Sequence, residues 1–560
     1  MAARRVSAPG ERDGEATADG HGLELDAVVV GAGFAGLYML HYLRDRLGLS
    51  VRAFEAGDGV GGTWYWNRYP GARCDSESFY YCYSFSGELE QEWTWSSKYP
   101  EQPEILRYLE HVAERFDLLK DIQLSTRVTS AEFDETTGRW EIRTERGDVV
   151  SARFFISAVG CLSAANVPSI PGLADFRGAW YHTGAWPHEG VDFTGKRVAL
   201  IGTGSTGIQA TPVIAAQADH LWVFQRTPNY SVPARNFSMT DEQTRQIKQD
   251  YPRIRRRARK SFGGFPYPAT GQSALAVSDE ERLATYEQLW AEEGGFKFIY
   301  GSYGDLLIDQ AANDTAAEFI RDKIRQTVKD PVVAEKLCPK DYPYGTKRPP
   351  IDTDYYETFN RDNVSLVDLR ETPIEAITPT GIRTSDAEYE LDVIVFATGF
   401  DAMTGSLNKI DIRGRHRQRL KDKWAAGPVS YLGLQVAGFP NLFIITGPGS
   451  PSVLTNMPLA IEQHVEWIGR CLSDMKERDV QIVEATEEAE EAWVDHVREV
   501  AEVTLFPKAN SWYLGANIPG KQRVFMPYVG GFAPYAEHCE EVVSDDYQGF
   551  AFSSVVEERA

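Results

Sequence analysis

An α/β fold built on two doubly wound parallel sheets is predicted by three observations in this 560-residue sequence. Short apolar runs at 27–30 and 198–201 have the composition of strands buried on both faces. A glycine-rich turn follows each at once: Gly31-Ala32-Gly33-Phe34-Ala35-Gly36 and Gly202-Thr203-Gly204-Ser205-Thr206-Gly207. Behind each turn comes a helix-like stretch and then a second strand-like run, giving two β-α-β units of the Rossmann type.

In the first unit, Gly31 permits the tight turn, Gly33 lets backbone approach a pyrophosphate, and Gly36 allows close helix–strand packing. The diphosphate then sits at a helix N-terminus beside Phe34, where free N–H groups and the helix dipole favour anions. The second strand ends in Glu55, about 20 residues beyond the turn, where an acid accepts hydrogen bonds from a ribose diol. Gly59-Val60-Gly61-Gly62-Thr63-Trp64 comes next. Gly-Gly pairs soon after such an acid are a habit of flavoproteins with two dinucleotide sites, so this site, with Gly62, Thr63 and Trp64, is assigned to FAD. Far along the chain, Asp392-Val393-Ile394-Val395-Phe396-Ala397-Thr398-Gly399-Phe400-Asp401 resembles a strand-plus-turn signature of the same class. The chain is expected to return there to the first unit.

The second unit differs at one informative point. Its second strand ends in Gln225, followed by Arg226 and Thr227, with no acid. Nothing there repels a 2′-phosphate, and Arg226 can pair with one bidentately. NADPH is therefore expected at Gly202, Thr203, Gly204, Ser205, Thr206, Gly207, Arg226 and Thr227, with Lys347 or another cation assisting from elsewhere. A surface Arg226 with NADH bound is the alternative.

Composition narrows the class. A net charge of −23 argues against sequence-independent nucleic-acid binding. The local run Arg253, Arg255, Arg256, Arg257, Arg259 and Lys260 reads as a solvated helix face. The six cysteines form no C-x-x-C pair and no cluster with metal-ligand spacing, so neither dithiol chemistry nor a metal is expected. No apolar run is long enough to span a bilayer, and residues 1–24 lack the apolar stretch of a secretion signal. They read as a flexible tail on a soluble, cytoplasmic protein without an obligate protein partner.

Between the two units, Phe176-x-Gly178-x-x-x-His182-x-x-x-Trp186-Pro187 resembles the fingerprint of Baeyer–Villiger monooxygenases. A second signature of that family, Gly61-Gly62-x-Trp64-x-x-x-x-Tyr69-Pro70-Gly71-x-x-x-Asp75, is complete. Stretches at 446–452 and 511–517 look most like its phenylacetone and steroid monooxygenases. The resemblance runs from about Asp26 to Phe552.

It implies an FAD domain in two parts (25–152 and 392–560), an NADP domain in two parts (153–234 and 333–391), and a helical insertion over 235–332. Within that insertion, Ser278-Asp279-Glu280-Glu281-Arg282 has the make-up of a helix start. The implied reaction is NADPH- and O2-dependent conversion of an aryl, steroid or large cyclic ketone to an ester or lactone, through a C4a-peroxyflavin and a tetrahedral adduct. Arg348 matches the family's active-site arginine, and Asp75 falls where a carboxylate touches it. Both border the cofactors. A guanidinium suits the role because it stays charged at any working pH. By the same resemblance, His182 lies on a linker that couples the two domains, in preference to serving as a general base. Trp512 belongs to a mobile loop over about 506–520, with core packing as its alternative, and Ser452, Val453, Leu454 and Met457 line the ketone pocket. The nearest rival is an N- or S-oxygenating flavin-containing monooxygenase, which has the central motif without the Trp-Pro ending. A non-enzymatic redox sensor lacks any sequence support beyond the acidic charge.

Overall fold

The computed structural model describes residues 23–267 and 270–555. The first sheet contains β1 (Leu23–Val30), β2 (Val51–Phe54), β3 (Ile122–Gln123), β4 (Val128–Asp134), β5 (Arg139–Thr144) and β6 (Val149–Ser157). The second contains β7 (Ala179–His182), β8 (Arg197–Ile201), β9 (His220–Gln225), β10 (Val364–Asp368) and β11 (Val393–Phe396). Two late strands, β12 (Asp411–Arg413) and β13 (Leu442–Ile444), rejoin the first sheet. Its order is β12-β4-β5-β6-β1-β2-β3, with β13 beside the end of β6; the second is β10-β9-β8-β11-β7 and parallel throughout.

The glycine turns set the spacing of each β-α-β unit. Helix α1 (Phe34–His41) is buried from Phe34 to Leu40, between β1 and the long C-terminal helix. It lies so close to the turn that a Cβ on Gly36 would stand 1.8 Å from the Gly31 carbonyl oxygen. Helix α2 (Ser205–Ala215) repeats the arrangement: a Cβ on Gly207 would meet the Gly202 carbonyl oxygen at 2.1 Å. No side chain caps the N-terminus of either helix, which leaves its amides free for an anion.

The expected domain limits need correction at three places. The limit at 152/153 falls inside β6, which pairs with β1 through Ser157. Sequence reasoning assigns 393–396 to the first unit, yet β11 lies in the second sheet, between β8 and β7. The four-residue run Val-Ile-Val-Phe is buried throughout, and such a run fits the interior of either parallel sheet. Of the tail expected over 1–24, residues 1–22 lie outside the described residues, while Leu23 and Glu24 already pair with Val150 and Ser151.

Over 241–327 the described residues carry helices and no strand, beginning with α3 (Asp241–Arg259). The helix Asp279–Gln288 starts at Ser278, whose Oγ accepts the Glu281 N–H at 3.1 Å, with three acids in its first turn. The basic run on α3 is only partly a solvated face. Tyr251, Arg255 and Ala258 share its buried side, and Arg255 donates to Glu90 Oε1 at 2.8 Å and Cys82 Sγ at 3.1 Å. This ion pair pins the insertion to the first unit, and removing one partner of such a buried pair costs about 3–5 kcal/mol. No described helix is long and apolar enough to cross a membrane. The long helix α4 (Met457–Glu477) packs across α1 and completes the first unit.

Candidate active site

Arg348 and Asp75 are 273 positions apart in sequence and meet in the fold. Arg348 Nε donates to Asp75 Oδ2 at 3.4 Å, and its Nη1 donates to the Val453 carbonyl at 2.8 Å. The guanidinium also lies 4.5 Å from the centre of the Phe296 ring, where the ring quadrupole favours a cation. Asp75 is turned inward, with a side chain 10% exposed, while that of Arg348 is 27% exposed. Burial pushes the Asp75 carboxyl up, against the pull of Arg348 and Gln209. Burial disfavours the charge on Arg348, but Asp75, with Tyr513 and Tyr300 nearby, more than offsets it and holds the guanidinium above its ordinary value. A positive charge on a partly exposed side chain is thus fixed at the meeting point of four chain segments.

Val453 carries this charge to an apolar wall. Val453, Met403, Phe506, Tyr513 and Met526 form one buried cluster, and Leu454, Met457 and Trp512 pack against it half-buried. Ser452 has φ +44° and spends its hydroxyl on the Thr446 carbonyl at 3.2 Å, so it shapes the bulge carrying Val453 and is itself fully buried. Trp512 lies against Tyr513, with ring centres 4.2 Å apart.

At the first turn, Gly33 and Gly62 lie back to back: a Cβ on Gly62 would stand 2.9 Å from Gly33 Cα. Two bare backbone segments therefore flank the amides of α1, with Gly31 completing the turn at φ +108°. Phe34 contributes main chain, since its ring packs on Tyr81 and Tyr83. Glu55 accepts the N–H of Ala32 and of Gly57, both at 2.8 Å, which ties the acid to the turn and leaves lone pairs on each oxygen. Thr63 is exposed, and Trp64 is buried with Nε1 donating to Tyr81 Oη at 3.2 Å.

At the second turn, the direction of an added Cβ on Gly204 is open to 4 Å, which leaves room for a phosphate before α2. Ser205 and Thr206 form the first turn of that helix. Thr203 Oγ1 donates to the Thr227 carbonyl at 2.7 Å, fastening the turn to the end of β9. Arg226 is exposed, and Lys347 lies close enough that burial and the Arg226 charge together lower it to about 8. Among the described residues neither cation forms an ion pair, which is the electrostatic outline of an anion site.

His182 ends β7, 3% exposed, with Nδ1 accepting the Gly184 N–H at 3.0 Å and its ring beside Phe400. Burial pushes its pKa down against the pull of the Asn166 and Gly399 backbone. It therefore sits beside the segment through which the chain leaves the second sheet.

A flavin-binding monooxygenase-like family profile (FMO-like) matches residues 26–238. A Baeyer–Villiger monooxygenase of Pseudooceanicola batsensis is 47% identical over 527 residues, covering 94% of this chain and 96% of that protein. The chain belongs to the Baeyer–Villiger monooxygenases. This is a flavoprotein family that inserts one oxygen atom beside a ketone carbonyl. Among solved structures, an oxidized steroid monooxygenase bound to NADP is 56% identical, with a TM-score of 0.91 over 95% of this chain and 100% of that one. A phenazine N-monooxygenase of Lysobacter antibioticus is also 47% identical, over 94% of this chain and 97% of its own length. In this Baeyer–Villiger monooxygenase, sequence reasoning missed three neighbours of the arginine site: Phe296, Tyr513 and Gln209. Only Tyr513 had a signal, its place beside Trp512.

Proposed function

We propose that the chain catalyses NADPH- and O2-dependent oxidation of an aryl, steroid or large cyclic ketone to the corresponding ester or lactone. Each turnover consumes ketone, O2, NADPH and one proton and yields ester, NADP+ and water. The observation that carries this reading is the guanidinium of Arg348, on a side chain 27% exposed, held by Asp75 and the Val453 carbonyl beside an apolar wall.

FAD, once bound, would supply the redox chemistry that activates O2 at the expense of NADPH. The slot between Gly33 and Gly62, with the free amides of α1, fits its pyrophosphate, and Glu55 fits its ribose. Gly204 and the free end of α2 fit the pyrophosphate of NADPH, while Arg226 and Lys347 fit its 2′-phosphate. Anchored through Nε and Nη1, the Arg348 guanidinium in this reading turns its remaining N–H groups to the oxygen that gains negative charge as the carbonyl is attacked. A donor aimed in advance at developing charge needs no reorganisation at the moment of reaction. The cluster around Val453 excludes water and strengthens that interaction. His182 couples the two nucleotide domains, and the protein acts in the cytoplasm without an obligate partner.

Two results are expected at the 2′-phosphate site. Arg226→Ala lowers the NADPH-to-NADH preference in kcat/KM by about 10- to 100-fold, the size of a lost charge-assisted hydrogen bond. Lys347, at about 8 in the free protein, is raised when a dianionic phosphate binds beside it. NADP+ binding therefore takes up a proton near and above pH 8, and affinity falls as pH rises through that range, which calorimetry in buffers of different ionisation enthalpy can read.

A second reading, oxygenation of a ring nitrogen, is favoured by the phenazine N-monooxygenase relative. Presenting the holoenzyme with phenylacetone, a steroid 20-ketone, large-ring ketones and phenazine separates the two. Ester or lactone formation at the higher kcat/KM supports the first reading; N-oxide formation alone replaces it with the second.

A further inference from the structure

Gln209 belongs to α2, the helix behind the second glycine turn, but its carboxamide works outside that unit. Its Oε1 accepts from Tyr69 Oη at 2.8 Å and from the Arg73 N–H at 3.4 Å. Its Nε2 donates to the Arg73 carbonyl at 3.1 Å and to Asp75 Oδ1 at 3.2 Å. Both lone pairs and both hydrogens of the carboxamide of a residue only 8% exposed are thus spent on one segment of the first unit. That segment lies flat on α2: at Gly71, with φ +82°, an added Cβ would stand 2.4 Å from the carbonyl oxygen of Gln209 itself.

The consequence lies at Asp75. Its two oxygens are divided, Oδ1 to Gln209 and Oδ2 to Arg348. One carboxylate joins the helix that presents its N-terminus to a dinucleotide phosphate with the arginine proposed to serve the carbonyl. We infer that Gln209 is a positioning residue, and that through Asp75 it sets the place of Arg348 according to how α2 is seated on NADP. A shift of α2 by a few tenths of an ångström carries the 3.2 Å bond beyond hydrogen-bond reach and frees the carboxylate to turn. The inference rests on the roles proposed for Arg348 and Asp75.

The test uses the FAD-loaded full chain, with Gln209→Leu to remove all four bonds and Gln209→Glu to keep the acceptor for Tyr69 while placing a carboxylate against Asp75. Both variants are expected to hold flavin and to be reduced by NADPH at a rate within about threefold of wild type, while the ratio of ester to hydrogen peroxide per NADPH falls at least about tenfold, as misplacement of a catalytic group predicts. A second readout needs no turnover: NADP+ slows amide exchange around Val453 in the wild type and loses most of that effect in Gln209→Leu. An unchanged ester-to-peroxide ratio in both variants, or an unchanged exchange response in Gln209→Leu, overturns the inference. Where Gln209→Leu fails to retain flavin, Gln209→Glu supplies both readouts and decides. Arg348→Ala, assayed in parallel, separates the levels. Normal ester formation by Arg348→Ala overturns the underlying reading; its loss there, with both Gln209 variants unchanged, overturns the positioning role alone.

Discussion

Arg348→Ala is expected to accept electrons from NADPH at a rate within a few-fold of wild type and to form ester at least about 10²–10³ times more slowly, the measured scale for deleting one preorganised oxyanion donor. The larger figure is favoured here because the side chain supplies a full charge in a partly buried place and holds the bulge through Val453. Truncation also leaves Asp75 with Gln209 as its remaining side-chain partner, inside a site where burial already pushes its carboxyl up. Arg348→Lys keeps the charge but cannot span Asp75 and the Val453 carbonyl together, so it is expected to recover only part of the loss. Stopped-flow flavin absorbance and product quantification on the same samples separate the two half-reactions. Equal slowing of both would mean that Arg348 acts in binding NADPH rather than in oxygen insertion.

Gly36→Ala is expected to yield protein without flavin. The added methyl would fall 1.8 Å from the Gly31 carbonyl oxygen, and both partners are backbone at the point where α1 meets its strand. Relief requires α1 to move out, and α1 is buried against β1 and α4 along most of its length. Overpacking of this kind costs on the order of 1–3 kcal/mol, and the displaced amides lose the arrangement proposed to hold the FAD pyrophosphate. Gly204→Ala is the matched contrast. Its Cβ meets no atom within 4 Å, so the chain folds and holds FAD while NADP+ affinity falls, because the methyl occupies the space left for phosphate. Flavin content after gel filtration and NADP+ titration of the two variants check the pair. Full flavin in Gly36→Ala would contradict the packing argument.

The parts legible in the sequence are those that depend on near neighbours. A glycine needed for close helix–strand approach must lie a fixed number of residues from the turn that it touches, so Gly31–Gly36 and Gly202–Gly207 declare two units without further context. The absence of an acid after β9 and the presence of Arg226 are local in the same sense. Lys347 is remote in sequence, and only its charge suggested it. The union of Arg348 with Asp75 came from motif resemblance, since no spacing rule brings together residues 273 positions apart. Sheet membership was obscure for a related reason: β11 is apolar on both faces and carries no mark of which sheet it joins. Arg255 was misread because a basic run gives no sign that one of its members turns inward to Glu90. Gln209 was invisible altogether, because a helix-borne glutamine shows nothing about reaching into a neighbouring domain.

The most direct measurement is turnover of the FAD-loaded protein with NADPH and a ketone under heavy-isotope O2, with mass spectrometry of the products. The expected product is an ester or lactone that carries one heavy oxygen atom for each NADPH consumed, with the second atom appearing in water. A labelled N-oxide or sulfoxide in place of any ester would contradict it and assign the same site to oxygenation of a heteroatom.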